Sequence, residues 1–121
     1  MNTNIKATNI TLTPAIQEYV DKRLEKIKNI LANDPSAQCD VELARVTNHH
    51  KKGDIFKAEL HIVGREKNFY ASIENEDLYS AIDLARDEIF REVTSGKERR
   101  ASLIRRGGAK IKSIVKGLWV K

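Results

Sequence analysis

Three histidines, one cysteine and a scattered set of cations are the residues of this 121-residue chain best suited to chemistry. His49 and His50 adjoin each other in the polar stretch 48–54, where Gly53 marks a turn, and His61 falls on the polar phase of an alternating segment. A metal ion or a general base needs such groups to converge on one point. Two turn neighbours and one outward strand residue lack that spacing, so the histidines read as solvated groups whose protonation adds positive charge. Cys39 is the single cysteine, and its apolar alternation suits a buried, reduced thiol better than a nucleophile. The sequence has no Gly-rich phosphate loop, nucleophile elbow or paired-cysteine zinc signature, so a binding role without catalysis or cofactor is expected.

The cations point to a polyanion. Residues 1–96 hold 13 Lys and Arg against 16 Asp and Glu, net −3, whereas residues 97–121 hold nine against one, net +8. A segment so short and so positive repels itself unless phosphates or another anion neutralise it. Lys22, Arg23 and Lys26 form a further group, although Glu18, Asp21 and Glu25 interleave with them and offer local pairing. Cations spaced along helices can meet successive phosphates and read the shape of folded RNA with little regard to base sequence. An anionic membrane surface is the competing target, because Ile111, Ile114, Val115, Leu118 and Trp119 share one helical face with lysines around it.

These groups must be positioned by a small set of elements. Ile5 and Ala7 predict a strand over 4–9, and Thr13-Pro14 predicts the start of a helix running to about residue 31, with Ile16, Val20, Leu24, Ile27 and Leu31 as its apolar stripe. Cys39, Val41 and Leu43 predict a strand over 38–47. Phe56, Ala58, Leu60 and Ile62 predict a third, and a turn at Gly64 leads to a fourth with Phe69, Ala71 and Ile73 facing inward. From Asp77 the period becomes helical, with Leu78, Ile82, Ala85, Ile89 and Val93 on one stripe until Ser95-Gly96. The order β-α-β-β-β-α predicts an α+β fold, a four-stranded mixed sheet with two helices packed on one face. One domain over 1–100 and a basic tail over 101–121, ordered only against a partner, are expected. Gly117 costs a tail helix about 1 kcal/mol. No run approaches the ~18 apolar residues of a membrane span, and the amino terminus lacks the apolar core of a secretory signal, so a cytoplasmic protein is expected.

Two stretches carry a resemblance. His49-His50-Lys51-Lys52-Gly53-Asp54-Ile55-Phe56-Lys57-Ala58-Glu59 resembles the loop and third strand of the ribosome hibernation-promoting factors, and Glu76-Asp77-Leu78-Tyr79-Ser80-Ala81-Ile82-Asp83 resembles the start of that family's second helix. Leu12-Thr13-Pro14-Ala15-Ile16 also fits, and the likeness spans about residues 4–97 in the family's order. The resemblance implies a fold similar to double-stranded-RNA-binding domains, a protein monomeric off the ribosome, and a seat in the messenger and transfer RNA channel of the small ribosomal subunit. Its partners there would be ribosomal RNA and neighbouring ribosomal proteins, and occupancy would block translation. The matching cations, Lys22, Arg23, Lys26, Arg91 and Lys97, are expected to meet RNA phosphates, with His49, Lys51, Lys52 and Arg86 as additions. Two departures stand out. Glu88 replaces a lysine common among relatives, which would weaken the helical patch. The tail resembles neither the acidic extension of short members nor the dimerisation domain of long ones. Arg99, Arg100, Arg105, Arg106, Lys110, Lys112 and Lys116 are expected to follow ribosomal RNA, with Trp119 stacking on a base or filling a protein pocket. A membrane-surface protein and a regulator that binds another protein remain the alternatives.

Overall fold

The computed structural model describes residues 1–46, 53–65 and 67–95. Alternating apolar residues build four strands: β1 (Asn2–Thr8), β2 (Gln38–Val46), β3 (Ile55–Val63) and β4 (Asn68–Asn75). They lie in the order β1-β2-β3-β4. β1 runs parallel to β2, and the other two pairings are antiparallel, so the sheet is mixed as its element order predicts.

Between β1 and β2 the chain forms α1 (Pro14–Arg23) and α2 (Glu25–Ile30), and after β4 it forms α3 (Leu78–Thr94). Thr13 caps α1 by accepting from the Ile16 N–H at 3.2 Å, with Pro14 in the first turn where no N–H is needed. Asp77 caps α3, accepting from the backbone N–H of Ser80 at 3.0 Å and from its hydroxyl at 2.8 Å. Asn9, at φ 61°, turns the chain out of β1 in the left-handed region that asparagine tolerates.

The expected single helix over 14–31 is two helices meeting at Leu24. Helical hydrogen bonds continue on both sides, from Leu24 N–H to Val20 O and from Lys28 N–H to Leu24 O, while Leu24 itself drifts to ψ −3°. The cause comes from α3. Arg86 Nε donates to the Arg23 carbonyl at 3.0 Å, drawing into a tertiary contact an oxygen that the helix ladder would otherwise use.

One core joins the layers. Cys39, Val41, Leu43, Ala58, Leu60, Ile62 and Ala71 from the sheet meet Val20, Leu24 and Ile27 from the first helical pair and Leu78, Ala81, Ile82, Ala85 and Ile89 from α3, all buried. The helices therefore cover one sheet face. The other face carries Asp40, Glu42, His61, Tyr70 and Ser72, at register positions alternating with the core residues.

Candidate nucleic-acid interface

The helical side of the sheet carries the predicted cations. Lys22 and Lys26 are exposed, and among the described residues neither lies within ion-pair distance of a carboxylate. Arg91 is exposed on the last turn of α3. These side chains can donate to phosphate oxygens without first breaking an internal ion pair.

Arg23 is held differently. Its Nε lies 2.8 Å from Asp83 Oδ1 and its Nη2 3.7 Å from Asp87 Oδ1. The shorter contact is one of charge rather than an aligned hydrogen bond, since this buried Nε has no hydrogen-bond partner. Tyr19 donates its hydroxyl to the same Asp83 oxygen at 2.7 Å, and that hydrogen bond holds the phenol pKa above its usual value. Tyr79 meets the Tyr19 ring edge-on at 4.8 Å. The sequence pattern offered only Glu18, Asp21 and Glu25 as partners for this cation group. Asp83 and Asp87, four residues apart and thus on one side of α3, are the signal it hid.

Arg86 is largely spent on the protein itself. Besides the Arg23 carbonyl it reaches Asp87 Oδ1 from Nη1 at 3.0 Å, and its guanidinium lies 4.4 Å from the centre of the Phe90 ring. Its side chain is 13% exposed. Glu88, expected to weaken the exposed patch, is only 8% exposed and is itself engaged, so its carboxylate does not stand out among the surface cations.

The opposite face of the sheet is unsuited to a polyanion. Asp40, Glu42, Glu59 and Glu74 oppose Lys6 and Lys57 there, and Glu42 stands directly across from Glu59. Tyr70, Ser72 and Lys57 converge on Glu59 Oε2 at 2.9, 3.4 and 3.6 Å, while Thr8 donates to Glu42 at 3.1 Å. His61 sits on this face against Tyr70, ring centres 5.8 Å apart, away from any helical cation. Among the described residues no group of three or more His, Cys, Asp or Glu could hold a metal ion.

His49, Lys51, Lys52, Lys97, Arg99, Arg100, Arg105, Arg106, Lys110, Lys112, Lys116 and Trp119 lie outside the described residues, as does the expected boundary near residue 100. The described residues hold 11 Lys and Arg against 15 Asp and Glu, net −4. Positive charge therefore concentrates in residues 47–52 and 97–121, with the helical cations as its outposts on the folded body.

An α+β domain with a mixed four-stranded sheet, helices on one face and unpaired cations on those helices defines a class of compact binding domain. The family of the sigma 54 modulation protein and the S30EA ribosomal protein matches residues 3–101, and the chain belongs to it. A ribosome hibernation promotion factor of Bacillus subtilis is 27% identical over 118 residues, which are 98% of this chain and 60% of that protein. A ribosome hibernation promoting factor of Klebsiella oxytoca is 29% identical over 99 residues, 82% of this chain and 96% of that one. The crystal structure of the Thermus thermophilus Protein Y N-terminal domain superposes with a TM-score of 0.63 at 26% identity, covering 77% of this chain and 96% of that one. The names of these relatives support a ribosome-associated role in hibernation. No described helix is long and apolar enough to cross a membrane.

Proposed function

We propose that this protein binds the small ribosomal subunit in the channel used by messenger and transfer RNA and inhibits translation by occupying it. The observation that carries the reading is the distribution of charge. Exposed, unpaired Lys22 and Lys26 stand on the helical side of a folded body whose other side is acidic. Exposed Glu18, Asp21 and Glu25 interleave with these lysines, so contact with phosphates falls to individual side chains on the helices rather than to a net positive face. Residues 97–121, net +8, supply most of the attraction, and the body supplies the bulk that anticodon stems and message cannot share. Occlusion makes and breaks no covalent bond, in keeping with a family of non-enzymatic binding factors.

Co-sedimentation with ribosomes across a salt series tests this. Wild type is expected to pellet with small subunits and release steeply as salt rises. Reversing Lys22, Lys26 and Arg91 to Glu should weaken binding and make the logarithmic salt dependence shallower, by about 0.7–0.9 for each phosphate that is no longer neutralised. Replacing Arg105, Arg106, Lys110, Lys112 and Lys116 by Gln should reduce it further. A wild-type protein that stays in the supernatant even at low salt would overturn the reading.

A further inference from the structure

At the carboxyl end of α3 the body has an apolar groove that its own elements leave unfilled. Ile30, Leu31, Ala37, Ile62, Phe69 and Val93 line it around a volume of about 360 Å³. Ile30 is 43% exposed and offers its apolar surface to an occupant of the groove. Asp34 stands on the rim, accepting from the Ser36 hydroxyl at 2.6 Å and the Arg65 N–H at 2.8 Å. Those bonds hold its carboxyl below the usual carboxylate range, and exposed Arg65 and Lys67 line the same groove, so its rim carries charges of both signs. The carbonyl end of the 17-residue helix α3 adds partial negative charge nearby.

We propose that this groove is the docking site of the chain's own residues 111–119, which place Trp119 and its aliphatic neighbours there when no polyanion engages the tail. The chain leaves α3 beside the groove, because Val93 lines it and the helix ends at Thr94. Fifteen residues separate Ser95 from Ile111, including the Gly107-Gly108 pair. A random chain of that length has an end-to-end distance of roughly 20 Å, ample for turning back onto the groove. Tethering keeps the effective concentration high, so a modest apolar contact suffices. Ile111, Ile114, Val115, Leu118 and Trp119 have the spacing by which an amphipathic helix fills an apolar groove. The body then acts as a parking place for a segment whose stripe would otherwise face water. The inference goes beyond the ribosomal reading, and its test contains no ribosome, so the two can fail separately.

Trp119 is the chain's single tryptophan, so its fluorescence in the intact protein reports the contact directly. Expected is a blue-shifted emission with acrylamide quenching roughly half that of a solvated indole, as a ring with one face against protein would give. Ile30→Lys, at a partly exposed position, and Leu118→Ser, outside the folded body, should each return both signals to solvent-like values while circular dichroism stays unchanged. Solvent-like emission in the wild type would overturn the proposal. So would protection that Ile30→Lys and Leu118→Ser leave intact, which would place the indole elsewhere, or protection that rises with protein concentration, which would assign the groove to a second copy.

Discussion

Cys39 sits midway across the sheet between Thr3 of β1 and Ile62 of β3, with none of its side chain exposed. Burial, followed by the neighbouring Asp40 charge, pushes the thiol pKa up to about 12. Raising a pKa on folding means that the unfolded chain gives up its proton first. Stability is therefore unaffected below about pH 9 and declines as pH rises toward 12. Cys39 should be inert to a thiol-specific reagent at neutral pH in the native state and react at the rate of global unfolding, as a colorimetric thiol assay with and without urea would read. Reaction in native buffer at the rate of a free thiol would contradict the burial. The apolar alternation around Cys39 made this placement legible, because a thiol in phase with Val41 and Leu43 has nowhere to point but the core.

Among the elements, the stripes and caps were readable and the break was not. Val20, Leu24 and Ile27 are buried and Ile16 and Leu31 half-buried, as a 3.6-residue period requires, and the inward strand residues follow a period of two. Those patterns are local. The division at Leu24 depends on Arg86, 63 residues beyond Arg23, and no periodicity encodes such a contact. The same holds for Asp83 gripping Arg23 and Tyr19. Arg86→Gln should cost about 1–3 kcal/mol in urea unfolding, since it removes charge-assisted hydrogen bonds from a mostly covered site. The salt slope of ribosome binding should stay at the wild-type value. A slope that falls as it does for the Lys22 reversal would make Arg86 a phosphate ligand instead.

As a whole, the molecule hangs on one core shared by sheet and helices. Leu60, buried on β3 between β2 and β4, is its central strand contribution. Leu60→Ala should destabilise by about 2–5 kcal/mol and lower the denaturation midpoint of the helical and aromatic signals together, because there is no second core among the described residues to hold part of the fold. Separate transitions for the two signals would refute a single cooperative unit. Charge is likewise a property of the whole chain: the basic tail is plain from composition, but only the placed side chains separate exposed Lys22 and Lys26 from the engaged Arg23 and Arg86.

The parallel pairing of β1 has a consequence for the order of assembly. Each β1 residue finds its β2 partner 36 positions later, Asn2 against Gln38 through Thr8 against Ala44. The β3 and β4 partners are closer, from 19 positions apart at Phe56 and Asn75 to five at Val63 and Asn68. Loop-closure entropy favours the nearer pairings. In refolding of the whole chain the β3–β4 hairpin therefore closes at a lower entropic cost than the crossover that joins β1 to β2. β1 is thus the edge strand whose pairing costs the most loop-closure entropy in the sheet.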